Sequence, residues 1–118
     1  MLYRIADLAD WQTAQQTGFF ASADLTTEGF IHSSERHQIL ATAARYYAGR
    51  TDVLLLELDE SQLQQAGIRV EREWVPARNE AFAHVFSPIP LAAIRREFSF
   101  QPDTGGQFTL PDDLQRGL

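Results

Sequence analysis

The pattern of apolar and polar residues predicts short strands alternating with a few helices. Val53 to Leu58 is an almost continuous apolar run, which is typical of a central strand buried on both faces. Residues 68–74 alternate apolar and charged side chains, which predicts a strand with one face in solvent. Helical spacing of apolar residues predicts the main helix over residues 35–48. Together these elements predict an α+β fold with a split, mixed or antiparallel sheet and two to three helices.

The boundaries of the remaining elements follow from turn-forming and capping residues. We expect a short helix from Asp10 to about Gln16 and another one capped by Asp59, with residues 21–28 as a connection. Further strands are predicted at residues 2–5, 30–32, 82–86 and 95–100. Residues 1–100 are then one compact domain, and residues 101–118 are expected to be a loosely ordered C-terminal tail.

Composition excludes several classes of function. The chain has 118 residues and a formal charge of −6, which disfavours binding to nucleic-acid phosphates. It contains no cysteine, so no thiolate nucleophile or thiolate metal site exists, and a cytoplasmic location is the default expectation. All ten of its basic residues are arginines, which excludes a Schiff-base lysine. No apolar stretch is long enough to span a membrane.

One motif combines a strand end with ionisable and polar side chains. Gly29-Phe30-Ile31-His32 predicts a short strand that ends at a histidine, and Ser34 is a candidate N-cap for the following helix. Gln38 lies four residues after Ser34, on the same side of that helix, so its amide can reach the crevice beside His32. Chemistry in α/β sheets tends to collect at such strand ends.

Two later strands offer partners for His32. His84 also follows an aromatic residue within a strand, and alternation places Glu71 and Glu73 on one face of the strand before it. These residues are either structural and solvated groups or the walls of a shared cleft. A zinc site would need His32, His84 and a carboxylate to converge, and we expect no metal. Any phosphate ligand needs local arginine, for which Arg4, Arg69 and Arg78 are the candidates.

The motif Gly29-Phe30-Ile31-His32-x-Ser34-x-x-x-Gln38 resembles the DUF952 family of small bacterial proteins without established function. The resemblance continues through Tyr46-Tyr47-Ala48-Gly49 and Asp52 to Asp59. It departs from the family around His84, in the run Phe82-Ala83-His84-Val85-Phe86-Ser87-Pro88: the histidine is kept, but the family's proline before it and the Tyr-Gly pair after it are replaced. The resemblance implies a fold similar to ADP-ribosyltransferases, with an NAD-type cleft.

By position, the resemblance makes His32 a ligand contact, with Ser34 and Gln38 beside it. The family's glutamate maps to Glu71 or Glu73, and its distance from Leu63 favours Glu71. Glu71 and His84 become the candidate catalytic residues, and Phe86 a candidate stacking residue. Two functions are therefore expected as alternatives: an enzyme that transfers ADP-ribose from NAD to an acceptor or to water, or a non-catalytic module that binds a nucleotide or small metabolite. A protein-interaction domain, in which the motif only stabilises the strand–helix corner, is the third hypothesis.

Overall fold

Three antiparallel sheets organise residues 1–115, which are the part of the chain that the structure, a computed structural model, describes. Their order is β1-β4-β8, β2-β7 and β3-β6-β5. The strands are β1 (Leu2–Asp7), β2 (Phe19–Phe20), β3 (Ile31–His32), β4 (Val53–Leu58), β5 (Val70–Val75), β6 (Glu80–Val85), β7 (Ile89–Pro90) and β8 (Ile94–Ser99). The α+β class is confirmed, and of the mixed or antiparallel arrangement predicted from the sequence the structure has antiparallel sheets.

The apolar strand β4 is the centre of the first sheet, as its sequence predicts. All six of its residues are buried, because β1 and β8 flank it and core side chains cover both faces. One face contributes to a core cluster with Leu2, Phe20 and Val85, and the other to a second cluster with Ile39 and Phe100. The sheet therefore separates two apolar cores of a single compact domain.

Five α-helices lie in the described residues, so the expectation of two to three helices is wrong. They are α1 (Leu8–Thr17), α2 (Ala23–Thr27), α3 (Ile39–Tyr46), α4 (Glu60–Gln65) and α5 (Asp112–Gln115). The extra helices α2 and α5 are too short to show helical periodicity, and neither was predicted. Asp59 caps α4 as expected, since its carboxylate accepts the backbone N–H groups of Ser61 and Gln62.

The junction after β3 differs from the predicted one. Ser34 does not cap a helix, because its backbone exchanges two hydrogen bonds of 2.8 Å with Tyr3 and stays extended. A 3₁₀ turn, Arg36–Gln38, begins instead with Glu35 at its N-cap and leads into α3. Gly29 has φ of 90°, a left-handed conformation that suits glycine, and it turns the chain from α2 towards β3.

The C-terminal segment contributes apolar side chains to the second core cluster. Phe108 stacks on Phe100 with ring centroids 4.7 Å apart, and Leu114 of α5 is buried. The sequence predicts a loose tail over residues 101–118, and residues 116–118 lie outside the described part. Within residues 1–115, no helix is both long and apolar enough to cross a membrane.

Candidate functional site

Sheet β3-β6-β5 brings the two predicted strand histidines side by side. His32 pairs directly with His84 across β3 and β6, and His84 pairs with Glu71 across β6 and β5. Because all three are register partners, their side chains share one face of the sheet. The imidazole rings of His32 and His84 meet edge to face with their centroids 5.3 Å apart.

His32 is fixed by a half-buried carboxylate that the sequence did not reveal. Asp24 Oδ2 accepts hydrogen bonds from the backbone N–H of His32 at 2.9 Å and from Arg4 Nη1 at 2.8 Å, and lies 2.8 Å from His32 Nδ1. The other oxygen, Oδ1, accepts the hydroxyl of Ser22. Burial alone would raise the pKa of Asp24, but the bonds from His32 and the charge of Arg4 hold it well below its usual range.

The ionised Asp24 decides which nitrogen of His32 is available. A carboxylate can only accept, so Nδ1 carries the proton in this hydrogen bond and Nε2 is the remaining nitrogen of the ring. Nε2 lies 3.6 Å from Glu28 Oε1, and the His32 side chain is 45% exposed. His32 therefore presents an oriented nitrogen to solvent or to a ligand.

His84 is far more enclosed than His32. It is 4% exposed, and its ring stacks on Phe30 at a centroid distance of 3.9 Å. His84 Nδ1 lies 2.8 Å from Glu73 Oε1, whereas His84 Nε2 is buried without a partner in the described residues. A buried polar atom without a partner costs free energy, which makes this nitrogen unusual among the polar atoms of His32, His84 and Glu73.

A cavity of about 640 Å³ adjoins these residues. Its volume lies within the range of small-molecule sites. The cavity cluster consists of four charged or ionisable residues of this lining: Arg4, Asp24, His32 and His84. Aromatic side chains contribute much of the remaining wall: Tyr3, Phe30, Tyr46, Tyr47, Trp74 and Phe82. A smaller cavity of about 440 Å³ lies near Phe19 and Pro88, and none of the predicted site residues lines it.

Three of the six predicted site residues line the large cavity: His32, Ser34 and His84. Gln38 does not, because its amide is used within the fold. Gln38 Oε1 accepts the backbone N–H of Glu35 at 2.9 Å, and Gln38 Nε2 donates to the carbonyl of Ala81 at 2.8 Å. Gln38 thus ties the 3₁₀ turn to the start of β6, and it is itself 2% exposed.

Glu71 and Phe86 also lie outside the lining of the cavity. Glu71 is exposed on the edge strand β5, and it is the carboxylate of Glu73 that contacts His84. Phe86 is covered by the guanidinium of Arg69, which lies 3.9 Å from the ring centroid. The catalytic role of Glu71 and the stacking role of Phe86 stay predictions.

Sequence reasoning missed the carboxylate that orients His32. Asp24 lies in the polar segment 21–28, which was expected to be a plain connection, and its partner Arg4 is 20 residues away. Asp24 and His32 lie only eight residues apart, but this short spacing does not by itself predict that they are in contact. Within residues 1–115, no group of three or more histidines and carboxylates could hold a metal ion.

Comparison with known proteins gives both a family and a fold. The model of the protein family of unknown function DUF952 matches residues 5–97. The crystal structure of protein CC0527 from Caulobacter crescentus is 29% identical, with a TM-score of 0.84 over 97% of each chain. Its solution NMR structure is 30% identical, with a TM-score of 0.74 over 95% of this chain and 94% of the other. No curated protein matches.

The family match spans the cavity cluster apart from Arg4, together with both histidine strands and the strand that carries Glu73. The solved neighbours carry no functional description in their names, so they support the fold and leave the ligand open. The chain belongs to the DUF952 family.

Proposed function

We propose that the protein binds a small nucleotide-class molecule in the cavity lined by the cavity cluster. One observation carries this proposal. Within residues 1–115, two side-chain polar atoms are buried without a partner, Arg4 Nε and His84 Nε2, and both residues line this same cavity. Buried polar groups are ordinarily satisfied, so two exceptions at one cavity favour a bound partner there.

The lining favours a ligand with planar and polar parts. Aromatic rings provide stacking surfaces, while His32 and Ser34 offer polar groups to ribose-type hydroxyls. The resemblance to ADP-ribosyltransferases suggests NAD as the first molecule to test, and that likeness of fold is itself part of the proposal. A cytoplasmic location, which the lack of cysteine predicts, is also part of the proposal.

A purely structural role for the motif is the weaker hypothesis. It requires His32 to be buried, bonded to backbone and away from any pocket. The His32 side chain is instead 45% exposed, bonds the carboxylate of Asp24 and lines a cavity of about 640 Å³. A group held in this way resembles a preorganised ligand contact more than a packing residue.

Calorimetric titration with NAD and with adenosine monophosphate tests the proposal. We expect saturable binding to the wild-type protein and loss of that binding in His32→Ala. His37→Ala is the matched control, since His37 is exposed and contacts Glu80 away from the cavity. No binding of either nucleotide to folded wild-type protein at millimolar concentration refutes the proposal.

Cleavage of NAD is a second candidate, favoured by the position of Glu28. This carboxylate lines the cavity with its Oε1 atom 3.6 Å from His32 Nε2. In such a reaction water adds to the ribose carbon and releases a proton to solvent as the bond to nicotinamide breaks, and nicotinamide leaves with the bonding electrons. A nearby carboxylate stabilises the positive charge that develops on the sugar.

Two variants separate the candidate carboxylates of this reaction. Nicotinamide release, followed by chromatography, should be lost in Glu28→Gln if the cavity carboxylate acts. It should be lost in Glu71→Gln if the residue predicted from the family pattern acts. Binding of NAD without nicotinamide release in the wild-type protein leaves the binding function and removes the enzymatic one.

A further inference from the structure

In the described part of the chain three arginines line the cavity, and two of them form ion pairs with carboxylates. Arg4 donates to Asp24 at 2.8 Å. Arg50 bonds Asp52 at 2.8 Å and Asp7 at 3.0 Å. A guanidinium already held by a carboxylate has little charge left to attract an anionic ligand.

Arg78 is the third lining arginine, and its surroundings are different. Its Nη2 atom donates to the hydroxyl of Thr42 at 3.1 Å. Its guanidinium carbon lies 4.5 Å from the centroid of the Phe82 ring and 5.7 Å from that of Tyr46. Among residues 1–115 no carboxylate oxygen comes within 4.0 Å of its nitrogen atoms, so it forms no direct ion pair, and Glu80 interacts with its charge only from a longer distance.

Contacts with ring faces hold an arginine in place without neutralising it. A guanidinium that lies over an aromatic ring keeps its N–H donors at its edge, and these match the geometry of phosphate oxygens. The backbone adds rigidity, because Arg78 lies in the four-residue turn between β5 and β6 and its N–H donates to the carbonyl of Val75 at 3.0 Å. The site is therefore built before any ligand arrives.

The other arginines proposed for phosphate binding from the sequence do not fit as well. Arg4 is paired with Asp24, and Arg69 lies over Phe86 outside the cavity lining. The overall charge of −6 makes a local unpaired cation more important, since the rest of the molecule repels anions.

We propose that Arg78, supported by Phe82, Tyr46 and Thr42, is the phosphate-binding residue of the cavity. This inference rests on the nucleotide binding proposed above and assigns the anionic part of the ligand to this end of the cavity. His32 and His84 are then left to contact the uncharged part of the nucleotide. Arg78 acts by direct hydrogen bonds and charge, so its contribution should depend on the phosphate of the ligand.

The test compares adenosine monophosphate with adenosine by calorimetric titration in each variant. In the wild-type protein we expect the nucleotide to bind about tenfold more tightly than the nucleoside, because the charge-assisted bonds to phosphate are lost with adenosine. Arg78→Gln should bring the two affinities together. Arg69→Gln removes the same charge outside the cavity and should keep the wild-type ratio.

The ratio within one variant does not depend on how much of the protein is folded. As a check on the wild-type chain, the Nε–H resonance of Arg78 should shift with adenosine monophosphate and not with adenosine. Equal ratios in Arg78→Gln and Arg69→Gln overturn this inference and leave the nucleotide site intact. Failure of both probes to bind the wild-type protein overturns the inference together with the proposed function.

Discussion

Two clusters of charged and polar residues in this small domain differ in how fully their buried atoms are hydrogen-bonded. The first, the Glu57 cluster, consists of Glu57, Arg96 and Tyr3. Glu57 is 2% exposed, and its carboxylate accepts hydrogen bonds of 2.8 and 2.9 Å from Arg96 and one of 2.9 Å from the hydroxyl of Tyr3. In the cavity cluster, Arg4 and His84 each keep a buried nitrogen without a partner in the described residues. Both clusters contain buried polar atoms, but in the described residues these atoms are all hydrogen-bonded only in the Glu57 cluster.

The Glu57 cluster has a structural role, whereas the cavity cluster has the binding role that we propose. Burial and the bond to Glu57 raise the pKa of Tyr3 to about 12, which shows how closely the hydroxyl is held. A completed network stabilises the fold and has no capacity left for a ligand. An incomplete network costs stability, and under the proposed function a ligand in the adjoining cavity recovers that cost by supplying the missing partners.

The largest effect on stability is expected from Glu57→Ala. It leaves the hydroxyl of Tyr3 and the guanidinium of Arg96 without their acceptor, and we expect a loss of about 3 kcal/mol in the free energy of unfolding. Urea denaturation measures this loss. Glu97→Ala on the exposed face of β8 is the control, expected to cost less than about 0.5 kcal/mol. Nucleotide binding should survive in both variants, and its loss in Glu57→Ala alone breaks the distinction.

Asp24→Asn should lower stability at neutral pH by about 2 kcal/mol, because the charge-assisted bonds from Arg4 and His32 become weaker. The folded pKa of Asp24 lies below the unfolded value, so its stabilising contribution is complete above the unfolded pKa. That contribution falls as the pH drops below the unfolded pKa and is lost below the folded one. Urea midpoints at pH 6 and pH 3 should therefore differ less in Asp24→Asn than in the wild-type protein. An equal difference in both contradicts the assignment.

Gln38→Ala distinguishes a residue of the fold from a residue of the site. It removes the bonds to Glu35 and Ala81, and we expect a loss of about 1 kcal/mol in the free energy of unfolding. Binding of NAD or adenosine monophosphate, measured on the folded protein, should be unchanged. A selective loss of binding would instead support the ligand contact predicted from the sequence.

His84→Phe has the smallest expected effect on stability. A phenyl ring can keep the stacking on Phe30. Glu73 loses its contact with His84, but its carboxylate can be solvated instead, because its side chain is 48% exposed. We expect a change of less than about 1 kcal/mol in either direction, because the substitution also removes the unsatisfied Nε2 atom. Nucleotide binding should nevertheless be lost. Thermal melts with and without adenosine monophosphate report both quantities, and retained stabilisation by the nucleotide would falsify the role given to His84.

The strands were predictable because their signals are local. The apolar run of β4 and the alternation of β5 each depend on neighbouring residues, and both elements lie close to where the sequence predicts them. Alternation also places Glu71 and Glu73 on one face of β5. It does not tell which of them reaches His84, since that depends on the diagonal geometry between two strands.

The site was only partly predictable because its bonds join distant parts of the chain. Gln38 was expected at the crevice, but its amide donates to Ala81, which is 43 residues away. Glu57 looked like one polar residue in an apolar run, and its partners Arg96 and Tyr3 are 39 and 54 residues away. No local sequence pattern predicts such long-range hydrogen bonds, because they form only when the sheets are assembled.

Imidazole NMR of the three histidines tests the central claim most directly. Titration with adenosine monophosphate should move the ring resonances of His32 and His84, which line the cavity. His37 contacts Glu80 at the surface and serves as an internal control, so its resonances should stay in place. If the rings of His32 and His84 do not respond at millimolar nucleotide, or if all three histidines shift together, the cavity cluster is not the nucleotide site.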